Sequence, residues 1–233
     1  MIISANIATY PPRLQSLRET LKSIYHQFDV IRIYFNEYDV FPPLEDPDLK
    51  IVRIKGQNIY DNGKFIGMQI ITDQFDLPEV YFTLDDDLIY PPDYVQKTCE
   101  AIDKYGCIIT HHGRKLLTKG TPYYSSHALY HFANAVVGNF RVDICGTGVT
   151  AFRTDYFTAP DLCRSNLFRM SDLIFSLEAA KQGKRIGVIA HEAGWIKAIN
   201  NNETIHGTES SGTQKNQIAL ADQIFDLNYG RKN

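Results

Sequence analysis

The sequence predicts an α/β fold, with a mostly parallel central sheet flanked by helices, in a single domain of 233 residues. Two observations support this prediction. Short apolar runs alternate along the chain with segments of helical periodicity, which is typical of such a sheet. In addition, 44% of the residues are hydrophobic, and a chain of this length can bury a full core in one domain.

The first half of the chain alternates regularly between predicted strands and helices. The first strand spans residues 1–8, and the double proline at 11–12 opens the helix that follows it. Through residue 110 the predicted order is β-α-β-β-α-β-α-β. The other predicted strands are 30–35, 49–54, 80–84 and 107–110, and the other predicted helices are 65–75 and 92–105.

The pattern changes after Gly113. Residues 114–139 are rich in Tyr, His and Gly and have no clear period, which indicates a functional loop region. A strand interrupted by Gly-Thr-Gly is predicted at 141–152, and another strand at 185–190. Between them a helix is predicted at 171–182, with Ser171 as N-cap and Gly183 just beyond its end. A polar lid is predicted at 200–214, followed by an amphipathic helix through Leu227.

Composition excludes several classes of protein. The net charge is -3 and the basic residues are dispersed, so the sequence disfavours nucleic-acid binding. The four cysteines lack the paired short spacing of a zinc site and are expected to be reduced. No apolar stretch approaches the roughly 18 to 20 residues that span a bilayer, so we expect a cytoplasmic protein.

Three consecutive carboxylates directly follow the predicted strand at 80–84. In an extended chain Asp85 and Asp87 point to one side and Asp86 to the other. Two carboxylates on the same side repel each other, and a divalent cation removes that repulsion. The alternative is an ordinary acidic turn before the double proline at 91–92.

Other polar residues also follow predicted strands, where ligands bind in open α/β sheets. Ala8, Thr9 and Tyr10 end the first strand. Tyr10 is a candidate to stack on a base and Arg13 to reach a phosphate, although a Tyr beside two prolines is equally an ordinary packing residue.

A second candidate anion site lies in the turn before the helix at 65–75. Asp61 and Lys64 flank Asn-Gly there, and backbone N–H groups at a helix N-terminus attract anions. A plain turn explains the same residues equally well.

Together these motifs resemble the inverting glycosyltransferases of the GT-A fold, in particular the large family 2. The resemblance covers the order of elements over most of the chain. Its specific parts are the Thr-Tyr-Pro-Pro-Arg loop at 9–13, the turn Asn62-Gly63-Lys64, the acidic signature at 84–87, Gly146-Thr147-Gly148, and Ser171-Asp172 at a helix start.

The resemblance implies a set of site residues. Such enzymes use an Asp-x-Asp motif to hold Mn²⁺ or Mg²⁺ on the diphosphate of a nucleotide sugar, which makes Asp87 the main metal ligand. Asp85 would lie near the ribose or a metal-bound water. A third ligand is expected from His191, at a predicted strand end, with His206 in the polar loop as second choice. Asp86 is assigned only a supporting role.

The same resemblance assigns Asp172 as the catalytic base that takes a proton from the acceptor hydroxyl. Ser171 stands where the family often has a Glu that contacts the acceptor, so this chain departs from the family at that position. The alternative is that Asp172 only complements the helix dipole in the first turn of the helix. Acceptor contacts are expected from the Gly-Thr-Gly segment and from Trp195.

The implied function is the transfer of a sugar from a nucleoside-diphosphate sugar, with a UDP-sugar expected, to a hydroxyl of a glycan or lipid-linked acceptor. Residues 1–112 would bind the donor. Residues 113–233 would bind the acceptor and include a mobile C-terminal segment, and polysaccharide biosynthesis and peripheral membrane association through the acceptor would follow from this function. The oligomeric state is left open.

Three alternatives stay open. A sugar nucleotidyltransferase is disfavoured, because residues 8–13 contain no glycine where those enzymes have a glycine-rich phosphate loop. A non-catalytic carbohydrate- or nucleotide-binding protein of the same fold is the second. A metal-dependent hydrolase built around His111 and His112 is the weakest, because adjacent strand residues face opposite ways.

Overall fold

A computed structural model describes residues 1–74, 78–122, 128–199 and 211–230. Its helices are α1 (Leu14–Ile24), α2 (Ile66–Gln74), α3 (Tyr94–Tyr105), α4 (Ser171–Lys181) and α5 (Ser211–Tyr229). Its strands are β1 (Ile2–Thr9), β2 (Val30–Phe35), β3 (Ile51–Lys55), β4 (Glu79–Leu84), β5 (Leu88–Ile89), β6 (Ile108–Thr110), β7 (Gly113–Lys115), β8 (Ala128–Tyr130), β9 (Phe140–Val142), β10 (Ile144–Cys145), β11 (Val149–Arg153), β12 (Ile186–Val188) and β13 (Lys197–Ala198).

An eight-stranded sheet in the order β3-β2-β1-β4-β11-β6-β12-β9 forms the centre of the molecule. Strands β3, β2, β1 and β4 are parallel, and β12 is parallel to β6. Strand β11 runs antiparallel between β4 and β6, and β9 is an antiparallel edge strand. The predicted α/β fold class is confirmed. Strand order reverses beside β1, so the carboxyl ends of β1 and β4 meet where such sheets bind ligands.

Helices cover both faces of the sheet. Side chains alternate along each strand, so neighbouring residues of β4 join different cores. Phe82 packs in a cluster with residues of α1 and α3, among them Leu17 and Tyr94. Tyr81 packs in the other cluster with residues of α2, α4 and α5, such as Phe175.

The predicted order of elements up to residue 110 is confirmed with one addition, the short strand β5. A 3₁₀ helix, Tyr60–Phe65, precedes α2 and includes the predicted Asn-Gly-Lys turn. Helix α4 ends as predicted before Gly183, whose φ of 66° is a left-handed conformation that glycine adopts without strain.

The single strand predicted at 141–152 is wrong. This region forms β9, β10 and β11, and β10 pairs with β7 in a separate three-stranded sheet with β8. The backbone turns between β10 and β11, and the Val149 N–H donates to the Gly146 carbonyl across this turn at 3.1 Å. The prediction that residues 114–139 lack regular structure is also wrong for β7 and β8.

The predicted N-cap of α4 is wrong too. Met170 occupies the N-cap position and makes no side-chain capping bond. Instead the carboxylate of Asp61 accepts the backbone N–H groups of Arg169 and Ser171, at 3.1 and 3.3 Å. The Ser171 hydroxyl lies 2.8 Å from that of Thr147, so it is used elsewhere.

In the described ranges, every helix is too short or too polar to cross a membrane.

Candidate functional site

The acidic triplet lies immediately beyond the carboxyl end of β4. Lys64 Nζ lies 2.5 Å from Asp85 Oδ1, and Arg13 forms a short ion pair with Asp87. The side chains of Asp85 and Asp87 are 43% and 30% exposed, whereas that of Asp86 is 12% exposed and lies 4.0 Å from Arg13. Asp86 and Asp87 lie in a turn rather than in an extended segment, so the low exposure of Asp86 does not come from the predicted alternation along a strand.

Burial changes the pKa values of Asp86 and Asp87. It raises the pKa of Asp86 to about 7, and the negative charges of Asp87 and Asp85 act in the same direction. The Thr9 hydroxyl and Arg13 oppose this rise. Burial and the charge of Asp85 also raise the pKa of Asp87, again against Arg13. The triplet is thus a region of crowded negative charge that two cations partly neutralise.

Lys64 connects the triplet to the rest of the site. Its side chain is buried. Burial alone would lower its pKa, but Asp85 and Asp61 more than compensate, with a further contribution from Asp172, so that the pKa is raised. The ammonium group therefore stays charged and lies among carboxylates from three separate segments of the chain.

Asp172, in the first turn of α4, is held by the Gly-Thr-Gly segment. Its Oδ1 accepts the backbone N–H of Thr147 at 2.7 Å and the hydroxyl of the same residue at 2.8 Å. Burial raises the pKa of Asp172, whereas the two bonds from Thr147 and the charge of Lys64 lower it. The predicted base is thus a half-buried carboxylate whose Oδ1 is held by Thr147.

Gly148 brings the same segment against the triplet. A Cβ on Gly148 would lie 1.9 Å from Asp85 Oδ2, which is too close for two atoms that are not bonded. A Cβ on Gly146 would likewise lie 2.9 Å from the ring of His112. The two glycines therefore allow close packing of the backbone on side chains of this site, and their predicted contact with an acceptor stays a prediction.

The loop after β1 lies beside the triplet. Ile7 pairs with Leu84, so Ala8 is next to the start of the acidic run. The Thr9 carbonyl accepts the backbone and side-chain N–H groups of Asn36, and the Tyr10 carbonyl accepts the N–H of Arg13. These bonds fix the loop, while nucleotide contacts by Ala8, Thr9, Tyr10 and Arg13 stay predictions.

His191 and Trp195 lie together in an aromatic cluster. His191 Nδ1 lies 2.9 Å from the Ile189 carbonyl, and its ring centroid is 5.6 Å from that of His111. The Trp195 indole N–H donates to Asp93 at 3.0 Å. His191 follows β12 and bridges to Val136, so it does not end the strand as predicted. His206 and most of the predicted lid lie outside the described residues.

A metal ion can be tested against the side chains that are present. Across the described ranges, three or more His, Cys, Asp or Glu side chains are nowhere grouped to hold one, so His191 is not brought together with Asp85 and Asp87. Mg²⁺, however, is commonly held by one or two carboxylates together with substrate phosphates, and Mn²⁺ favours the same oxygen ligands. The partly exposed, mutually repelling Asp85 and Asp87 fit such a shared site.

The two adjacent histidines contact different neighbours. His111 is fully buried, lies 2.9 Å from the Thr98 hydroxyl and packs on Tyr94. Burial lowers the pKa of His111 to about 3. His112 packs on His131 instead, with ring centroids 4.9 Å apart. The prediction that they face opposite ways is confirmed, which weakens the hydrolase alternative.

Several contacts of the candidate site were not predicted from the sequence. Thr147 holds Asp172 across 25 positions, and Asp61 caps α4 across 110. Tyr90, directly after β5, hydrogen-bonds to the backbone of both Asp85 and Gly148. A Tyr before a double proline carries no local signal for such a role.

Comparisons with known proteins bear on the fold. No family model and no curated protein matches the chain. Among solved structures, UTP-bound UGPase from Acinetobacter baumannii matches with a TM-score of 0.50 and 4% identity, over 99% of this chain and 95% of that one. At this identity the similarity concerns the fold alone, the arrangement of the sheet and its helices.

Two further solved structures are similar at lower scores. The 4-diphosphocytidyl-2C-methyl-D-erythritol synthase from Anaerococcus prevotii has a TM-score of 0.49 and 13% identity, over 95% of this chain and 96% of that one. S. aureus TarS 1–349 has a TM-score of 0.46 and 13% identity, over 99% and 74%.

Proposed function

We propose that the protein is a metal-dependent, inverting glycosyltransferase that moves a sugar from a UDP-sugar to a hydroxyl group of a glycan or glycolipid acceptor. The observation that carries the proposal is the turn at Thr147 and Gly148, because Thr147 holds Asp172 and Gly148 lies against the Asp85 carboxylate. In this proposal an acidic motif suited to a nucleotide diphosphate and a carboxylate suited to proton transfer belong to one site.

In this proposal Asp172 is the base. The acceptor O–H gives its proton to the Asp172 carboxylate while the oxygen attacks the anomeric carbon, and the bond from that carbon to the diphosphate breaks with its electron pair leaving on UDP. A pKa raised by burial makes a carboxylate a stronger base near neutral pH. Thr147 keeps the carboxylate pointed in one direction, which favours a reactive geometry.

Charge stabilisation is assigned to the other end of the site. Asp85 and Asp87 would hold Mg²⁺ or Mn²⁺, which supplies positive charge to the departing diphosphate. Arg13 and Lys64 already lie beside these two carboxylates. Binding of a cation and a diphosphate would release the two basic side chains to contact phosphate oxygens, as expected for Arg and Lys at such sites.

The direct test is incubation with UDP-sugars and Mn²⁺, scored for UDP release with and without EDTA. We expect acceptor-stimulated UDP release that EDTA abolishes. Failure to release UDP from any of a broad set of UDP-sugars and acceptors would contradict the proposal. Pyrophosphate release from UTP and a sugar 1-phosphate would instead support the nucleotidyltransferase alternative, whose fold is the same. Nucleotide binding with neither reaction would indicate a binding protein.

The Asp87→Asn substitution tests the cation site. We expect the Mn²⁺-dependent part of UDP affinity to fall at least tenfold, because one of two carboxylate ligands is lost. Isothermal titration with UDP, in Mn²⁺ and in EDTA, measures that part. Asp155→Asn is the matched control, since Asp155 pairs with Arg153 beside the start of β4, at the end of that strand away from the triplet. Equal loss in both variants would contradict the assignment.

A further inference from the structure

Tyr90 makes contacts that its position in a buried aromatic cluster does not require. It is 2% exposed and packs on Tyr94, with ring centroids 4.8 Å apart. Its hydroxyl oxygen lies 2.6 Å from the Gly148 carbonyl and accepts the Asp85 N–H at 2.9 Å. One phenol thus joins the end of β4 to the turn before β11.

A phenol has a single proton, and two carbonyls lie within reach of the Tyr90 hydroxyl, that of Gly148 at 2.6 Å and that of Asp85 at 3.4 Å. The short contact to the Gly148 carbonyl takes that proton, so the N–H of Asp85 must donate to the phenol oxygen. The same N–H also lies 3.3 Å from the Gly148 carbonyl. Burial raises the pKa of Tyr90 well above its ordinary value, so the phenol remains a donor at physiological pH.

The side chain of Asp85 is fixed by the same arrangement. Its Oδ2 occupies the space that a side chain at Gly148 would fill, and its Oδ1 is held by Lys64. A change in the distance between the Asp85 backbone and Gly148 would therefore move the carboxylate or force it against the turn. The phenol bonds both backbone groups and so restricts that distance, together with the longer direct bond from the Asp85 N–H to the Gly148 carbonyl.

We propose that Tyr90 is a positioning residue, which clamps the backbone of Asp85 to Gly148 and so fixes the direction of the Asp85 carboxylate. The effect on ligand binding rests on the proposed function. The clamp itself does not.

Tyr90→Phe tests the clamp, and Tyr94→Phe is its matched control. Both rings are buried, but within the described residues the Tyr94 hydroxyl has no hydrogen-bond partner. We expect the Asp85 amide to exchange with solvent about tenfold faster in Tyr90→Phe and unchanged in Tyr94→Phe. Nuclear magnetic resonance resolves this single amide. Equal exchange in the two variants would overturn the clamp.

Isothermal titration with UDP and Mn²⁺ tests its consequence. We expect about tenfold weaker Mn²⁺-dependent UDP binding in Tyr90→Phe than in Tyr94→Phe, with binding in EDTA equal in both. Faster exchange with unchanged affinity would overturn the positioning role. If the wild-type protein itself bound no UDP with Mn²⁺, the proposed function would have failed, and the exchange experiment alone would decide the clamp.

Discussion

Strand β4 carries an ion pair at each end, and the two pairs differ in exposure. At its start, Glu79 forms two hydrogen bonds with Arg32, at 2.8 and 3.0 Å, and both side chains are less than 10% exposed. Just past its end, Asp85 pairs with Lys64, which is also buried, but the Asp85 side chain is 43% exposed. The chemistry is the same, a carboxylate with a cation, and only the access of solvent differs.

This difference indicates what each pair does. A buried pair with both partners enclosed satisfies its own charges and presents nothing to a ligand. A pair with one enclosed cation and one open carboxylate keeps a charge available at the surface. The switch in strand order lies next to β1, at the end of the sheet that carries the exposed pair, and open α/β sheets bind ligands at such a switch.

The largest expected effect is a loss of activity at the site near the end of β4, where the ion pair is exposed. Asp172→Asn should lower the transfer rate about 10³-fold, because a positioned base contributes about 10² to 10⁴ and an amide cannot accept the proton. UDP affinity should stay within about twofold of the wild-type value. Steady-state transfer assays and UDP titration measure the two quantities. Near-wild-type transfer would exclude Asp172 as the base.

At the start of β4, where the ion pair is buried, we expect a loss of stability instead. Glu79→Gln should lower the free energy of unfolding by about 3 kcal/mol, since it leaves the Arg32 charge buried without a carboxylate. The affinity of the folded protein for UDP should not change. Urea denaturation measures the loss. Asp226→Asn, in the exposed pair with Lys119, is the control and should give no resolvable change.

Asp86→Asn is expected to change how the stability of the protein depends on pH. The folded-state pKa of Asp86 is about 7, against 3.8 ordinarily, so the native protein keeps a proton that the unfolded chain releases between these values. This contribution to wild-type stability is lost as pH rises from about 4 to 7.

The variant lacks this contribution, so its stability relative to wild type should rise by up to about 1.4 kcal/mol per pH unit in that window. Urea denaturation at a series of pH values, in EDTA, measures the difference. A difference that stays constant with pH would show that burial of Asp86 does not alter its titration.

The fold was more predictable than the site. Alternating apolar runs and helical periods suffice to give the elements up to residue 110, because each is encoded by local periodicity. The prediction failed at 141–152, where one apolar run turns twice and serves two sheets. It also failed at Ser171, where a distant Asp61 replaced a good local N-cap. Both failures come from tertiary contacts that override local preference.

The sequence by itself determined an α/β sheet and placed three carboxylates at the end of a strand, since both are local properties of the chain. Only the tertiary structure decided that Lys64 holds Asp85, that Thr147 holds Asp172 and that Tyr90 bonds the two turns. Those contacts depend on which strands are neighbours in the sheet. Strand order is a property of the whole fold, and no local pattern of residues encodes it.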